Sequence, residues 1–163
     1  MLQHTKGNLL DLAEAGQFDI IVHGCNCKNT MGSGIAKEIK ERYPSAAIVD
    51  TAAHRDALSE IELLGNYSYT WENGNSYTGK FIIVNAYTQL DYWPRGKDHF
   101  QYESFQLILR KLAITFKGKR FGFPYIGMGL AGGNKDSIMT MLEVFAMSVA
   151  ADGGSVTLVE FDG

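Results

Sequence analysis

The chain has few of the residues that constrain a fold covalently. It holds three prolines and two cysteines, Cys25 and Cys27, in 163 residues. Cysteines one residue apart make a poor disulfide, and with no further Cys and no His cluster beside them no zinc site is expected. The expectation is a reducing compartment, the cytoplasm, with no metal and no other cofactor. No apolar run approaches the length of a membrane span, and the N-terminus lacks the basic-then-apolar form of a signal peptide. Positive charge is not in excess either. Fifteen Lys and Arg stand against 18 Asp and Glu, for a net charge of -3 and a pI near 5.8. Neither a membrane nor general nucleic-acid binding is therefore expected, the latter needing a basic stripe. A small anionic ligand stays compatible, because backbone N–H groups bind phosphate without Lys or Arg.

What the chain does have is glycine, 18 residues of it, concentrated in two informative places. The first is residues 19–36. Ile20-Ile21-Val22 reads as a buried strand, a polar turn follows, and an amphipathic helical pattern starts at Ser33. A strand feeding a glycine loop and then a helix N-terminus exposes unpaired N–H groups and the positive end of the helix dipole, which suits an anion. The second is Gly127-Met128-Gly129-Leu130-Ala131-Gly132-Gly133, again after a strand. A turn rarely needs more than one or two glycines, so four in this loop predict a close approach of backbone to a ligand.

The length fits one domain over residues 1–163. In order, the pattern predicts an edge strand at 1–5 and a short helix from Leu9 to Ala15. A strand at Ile20–Gly24 and a helix at about Gly34–Tyr43 follow, the helix capped by Ser33 and ended by Pro44. Residues 45–60 read as a short helix or a loop with helical turns. Ile61–Trp71 and Lys80–Thr88 read as a hairpin about Asn73-Gly74, the second strand buried on both faces through Phe81-Ile82-Ile83-Val84. An aromatic and charged loop at 89–101 leads to a helix at Tyr102–Phe116, a strand at Phe121–Phe123, a helix capped by Asn134 or Asp136, and a last strand at Ser155–Phe161. Alternating strands and helices imply a three-layer α/β/α fold with a mixed sheet, both glycine loops lying at its carboxyl-end edge.

Neither loop is a P-loop, since no Gly-Lys-Ser/Thr follows, and neither is a dinucleotide fingerprint. Val22-His23-Gly24-Cys25-Asn26-Cys27, then Met31-Gly32-Ser33-Gly34-Ile35-Ala36, then Pro124-x-Ile126-Gly127-x-Gly129-Leu130-Ala131-Gly132-Gly133 resembles the macro domain family of ADP-ribose binders. The likeness is to the stand-alone branch with ADP-ribose-1″-phosphate phosphatases, and it covers nearly the whole chain. It implies binding of ADP-ribose and hydrolysis of ADP-ribose 1″-phosphate to ADP-ribose and phosphate. Two other activities are open: removal of ADP-ribose from modified protein or nucleic acid, and a sensor that only binds.

The resemblance also implies roles. Asn26 falls where the family bonds the distal ribose. Met31, Gly32, Ser33, Gly34 and Ile35 match the loop around that ribose and the diphosphate. Gly127, Met128, Gly129, Leu130, Ala131 and Gly132 match the loop on its other side. Asn8 stands where an Asp commonly touches the adenine amine. Tyr87 and Tyr125 are candidate walls, or pack beneath the loops. His23 is the catalytic candidate, as a proton carrier or as a structural hydrogen-bonder. Lys28, Asp50 and His99 are further polar candidates, and Cys25 and Cys27 read as small buried packing. The lysine and loop Asp of the de-ADP-ribosylating relatives are absent, with Ala131 in the place of that Asp.

Overall fold

A computed structural model describes residues 1–32, 34–73, 80–91, 99–129 and 131–162. In order the elements are β1 (Leu2–Gly7), α1 (Leu9–Glu14), β2 (Ile20–Asn26), α2 (Gly34–Arg42), α3 (Pro44–Asp56), α4 (Glu60–Leu63), β3 (Tyr67–Asn73), β4 (Lys80–Gln89), α5 (Tyr102–Thr115), β5 (Arg120–Phe123), α6 (Lys135–Ala151) and β6 (Ser155–Phe161). The strands form one six-stranded sheet in the order β1-β6-β5-β2-β4-β3. All neighbours are parallel except β3, which runs antiparallel to β4 at one edge. The fold is thus the mixed α/β sandwich that the alternation of strands and helices predicts.

The two faces are read from the strand period. On β2 and β4, Ile20, Val22, Ile82, Val84 and Ala86 point to the face covered by α5 and α6, where Phe105, Ile108, Leu112, Leu142 and Phe145 complete the larger core. Ile21, Phe81 and Ile83 point the other way, against Leu9, Leu10, Ile39 and Tyr43 from α1, α2 and the start of α3. A strand buried on both faces needs no polar alternation, which is why Phe81–Val84 runs unbroken.

Two stretches differ from the sequence expectation. Pro44 follows the end of α2 but also opens the 13-residue α3, occupying a first-turn position where its missing N–H costs nothing. Residues 61–63 belong to α4 and not to a strand, and the strand starts only at Tyr67. Ser59 caps α4 by accepting from the Glu62 N–H, and Glu60 and Glu62 in its first turn suit the helix dipole. The expected hairpin turn at Gly74, the Ser33 cap and most of the 89–101 loop lie outside the described residues.

Towards the carboxyl end of β4 the face under α3 becomes polar. Asn85 is fully buried and satisfied. Its amide donates to Ala46 O and to Ser68 Oγ, both at 3.0 Å, and its oxygen accepts from His23 Nε2 at 2.6 Å. Ser68 Oγ meets the Tyr87 hydroxyl at 2.8 Å, and that hydroxyl donates to Asp50 Oδ1 at 2.7 Å. Asp50 Oδ1 also lies 3.2 Å from His54 Nδ1, one turn along α3. Burial raises the Asp50 carboxyl above its ordinary pKa, against the opposing effect of the Tyr87 bond and of neighbouring His54. Burial also lowers His23 to about 4, against the opposing pull of Asn85.

The His23 shift has a definite sign. An unfolded histidine titrates near 6.5 and the folded one near 4, so between these values the unfolded chain holds the extra proton. Stability is full above pH 6.5 and falls as the pH drops towards 4, by about 3 kcal/mol from this group. Asp50 acts in the opposite direction but is common to wild type and variant. Urea unfolding at pH 7, 5.5 and 4 should therefore show a smaller acid loss in His23→Gln, whose amide N–H still reaches Asn85. Equal losses in the two proteins would show that His23 is not buried neutral.

Candidate functional site

The carboxyl ends of β2, β4 and β5 open into a cleft of about 550 Å³. Its described lining comes from the end of β2 and the loop after it (Gly24, Cys25, Asn26, Thr30, Gly32), the start of α2 (Gly34, Ile35, Ala36), the end of β4 (Thr88, Gln89), and the loop after β5 (Tyr125, Gly127, Gly129, Ala131). An open sheet with parallel neighbours leaves its crevice at this edge, and both glycine loops meet there.

The first loop is held from inside and from below. Asn26 Oδ1 accepts from the Lys28 N–H at 2.8 Å, and its Nδ2 donates to Thr30 Oγ1 at 2.8 Å. Met31 is buried in the core under α1 and α2, pinning the loop to the sheet. Asn29 adopts φ +57°, a left-handed conformation that Asn tolerates. Its N–H donates to His54 Nε2 at 3.0 Å, and its side-chain oxygen accepts from Thr51 at 3.2 Å. His54 Nε2 is thus an acceptor, which places the proton on Nδ1, facing Asp50 O at 2.8 Å. The loop beside the cleft is in this way tied, through α3, to the buried polar groups of β4.

The second loop is braced by its own backbone. The Gly133 N–H donates to Gly127 O at 2.7 Å and the Gly132 N–H to Gly129 O at 3.0 Å, while Ala131 O accepts from the His99 N–H at 2.8 Å. Asn134 then caps α6 by accepting from the Ser137 N–H at 2.9 Å. The glycines divide into two kinds. Gly127 has φ +74°, and a Cβ there would fall 2.5 Å from the Phe100 ring; one on Gly133 would fall 2.5 Å from Gly127 O. These serve the loop itself. A Cβ on Gly129 or on Gly32 would meet nothing within 4 Å. Those two are open on the cleft side, so the fold alone does not account for their lack of a side chain.

The residues read from the sequence fall in three groups. Asn26, Gly32, Gly34, Ile35, Tyr125, Gly127, Gly129 and Ala131 come together around the cleft. Ser33 and Leu130 lie outside the described residues. His23, Asn8, Met31, Met128 and Gly132 are not in its lining. His23 is 1% exposed, with its ring bonded to Asn85 and beside Cys25. Asn8 is the cap of α1: its oxygen accepts from the Leu10 and Asp11 N–H groups and its amide donates to Glu38. Met128 packs against the larger core. Of the other candidates, Tyr87 is fully buried, Asp50 belongs to the network beneath it, and Lys28 pairs with Glu60 at 2.6 Å. Cys25 and Cys27 are buried with Leu63 and Tyr87, and burial pushes both thiols up, Cys27 to about 12.

The lining adds Gly24, Thr30, Ala36, Thr88 and Gln89 to the residues read from the sequence. A signal for Thr88 and Gln89 was present, since they end the most apolar strand, but nothing in their types marks them as ligand-facing. Thr88 Oγ1 is the one buried side-chain polar atom without a hydrogen-bond partner among the described residues.

No family profile matches the chain. An Enterobacteria phage T4 protein, described as an uncharacterized 17.5 kDa protein in the tk-vs intergenic region, is 27% identical over 150 residues, 90% of each chain. An ADP-ribose 1″-phosphate phosphatase of Aspergillus fumigatus is 26% identical over 88 residues, 54% of this chain and 44% of that one. The matched stretch is thus less than half of that fungal relative. Among solved structures, the macrodomain of Mycobacterium tuberculosis DarG superposes with TM-score 0.74 at 19% identity, over 98% of this chain and 97% of that one. Thermosipho africanus DarTG in complex with ADP-ribose superposes with TM-score 0.66 at 14% identity, over 98% of this chain and 41% of that one. With the sheet order, the two loops and the cleft between them, these likenesses make the chain a macro domain by fold.

Proposed function

We propose that the cleft binds ADP-ribose and that the protein hydrolyses ADP-ribose 1″-phosphate, with water, to ADP-ribose and phosphate. The observation that carries the binding is the pair of loops, each bringing backbone and one glycine that the loop does not need for itself, Gly32 and Gly129, to the same cleft. Two such loops and the first turn of α2 supply N–H dipoles to a diphosphate held between them. The superposed DarTG structure holds ADP-ribose, and the Aspergillus relative is named for this phosphatase activity.

The chemistry rests on position and dipoles. Among the described lining residues there is no Asp, Glu, His, Lys or Arg. Fixed N–H groups offset charge that develops on the phosphate oxygens, and position relative to them does the rest. We assign His23 to holding β4 and not to the reaction, since its ring is enclosed and neutral. The same lack of ionisable groups favours a second reading, a module that binds ADP-ribose without turning it over.

Millimolar ADP-ribose should raise the melting temperature by linkage, and Gly129→Val should abolish that rise. Open space at Gly129 leaves room for the new side chain, so the unliganded variant should melt within about 2 °C of wild type. Gly127→Ala, by contrast, meets Phe100 and a left-handed φ and should lower stability by about 2 kcal/mol or more. A wild type that shows no shift, or a Gly129→Val variant that shifts equally, would remove the ligand from this cleft. Incubation with ADP-ribose 1″-phosphate, beside an ADP-ribosylated protein, then separates the readings. Phosphate released by wild type and not by Gly129→Val supports the phosphatase; free ADP-ribose from the modified protein supports de-ADP-ribosylation; binding without either product leaves the sensor.

A further inference from the structure

The unpartnered hydroxyl of Thr88 is out of keeping with the rest of the interior. Every other buried polar side-chain atom among the described residues has a partner, including the full run from His23 to His54. An unmet hydroxyl in an apolar setting is a standing cost, and nothing in the packing requires it here. Valine has the same shape and the same β-branching, and would fill the site beside Gly24 and Ile126 without it. A Cβ on Gly24 would fall 2.9 Å from Thr88 Oγ1, so this oxygen lies directly beneath the bare backbone of Gly24; both residues line the cleft, and the oxygen itself is covered in the free protein.

The neighbours indicate which part of a ligand belongs there. The same cleft lining holds Asn26, Thr30 and Gln89 from the strand ends and the first loop, all neutral and all able to donate and accept. Such a set matches the hydroxyls of a sugar. The start of α2 instead contributes Ile35 and Ala36, which offer only apolar contact from their side chains.

Building on the ADP-ribose reading, we propose that Thr88 is a ligand-binding residue: its hydroxyl hydrogen-bonds an oxygen at the terminal-sugar end of the ligand and sets the preference for ADP-ribose over ADP. Thr88 is accordingly unsatisfied in the free protein and satisfied in the complex. Stability of the free fold and affinity for the sugar end then move in opposite directions at this one atom.

The test is calorimetric titration of wild type, Thr88→Val and Thr88→Ser with ADP-ribose and with ADP, beside melting of each unliganded protein. Thr88→Val should melt about 2 °C or more above wild type, because the unmet hydroxyl is gone. It should bind ADP-ribose about tenfold more weakly and ADP as wild type does. Thr88→Ser keeps the hydroxyl and should bind ADP-ribose within about threefold of wild type, the lost methyl being felt in stability instead. If Thr88→Val binds both nucleotides as wild type does, Thr88 is no ligand contact and the proposal falls, with the ADP-ribose reading intact. A variant that weakens ADP and ADP-ribose equally also overturns it, because the contact would then lie on the part the two share. A variant that melts below wild type shows that the hydroxyl has a structural partner, and overturns it as well. Wild type that binds neither nucleotide overturns the ADP-ribose reading and the proposal together.

Discussion

The hydrogen bond from Tyr87 to Asp50 ties α3 to the sheet with a direction that apolar contacts lack. β4 is enclosed on both faces, yet it carries Asn85 and Tyr87 beneath α3. Apolar packing is tolerant of small slides, whereas a buried donor left without its acceptor costs about 1–3 kcal/mol. Asn85 reaches Ala46 O, Tyr87 reaches Asp50, and the two together set where α3 lies over the sheet. One turn beyond Asp50, His54 receives the N–H of Asn29. The left-handed turn of the first loop is therefore held by α3, and α3 is held by β4. A loop that must be in place before its ligand arrives is better ordered by such directional bonds than by contact area.

The second loop reaches the same end by a different route. Its shape comes from backbone bonds across the glycines and from the ring of Phe100, which fills the space a side chain on Gly127 would need. Only Gly129 is left without a role in the loop itself. A count of glycines overstates the case for a ligand, since Gly127 and Gly133 are explained by packing alone. The case rests instead on Gly129 and Gly32, one from each side of the cleft.

The fold was legible in the sequence because its signals are local. Apolar runs marked β2 and β4, a cap at Asn134 or Asp136 marked α6, and the strand–loop–helix order placed both loops at one edge of the sheet. Pro44 was ambiguous because proline ends one helix and starts the next by the same property, its missing N–H. Residues 61–63 were lost to their β-like composition, where the Ser59 cap decided for a helix. The candidate site was legible in its glycines and in Asn26, but not in its depth. His23 and Tyr87 carry groups that suit catalysis or ligand contact, and only the strand period and the position of α3 determine that both point under the sheet. Asn8 shows the same limit. A residue after a turn and before Leu9-Leu10 fits a helix cap as well as a ligand contact, and its oxygen already accepts from two N–H groups.

The absence of charged side chains from the described lining shapes what this site can select. In the proposed complex, fixed N–H dipoles would hold a diphosphate without drawing in every polyanion, which accords with a net charge of -3 on the chain. Selection among nucleotides then falls to neutral groups, and these discriminate well when a mismatch leaves one of them unpaired. Within the lining, Ile35 and Ala36 offer only apolar surface, Tyr125 adds a ring with a hydroxyl, and Asn26, Thr30, Thr88 and Gln89 donate and accept hydrogen bonds. Under the proposed ADP-ribose binding, recognition falls to the carboxyl end of β4, beside the buried polar groups that keep that strand and the loop next to it in place.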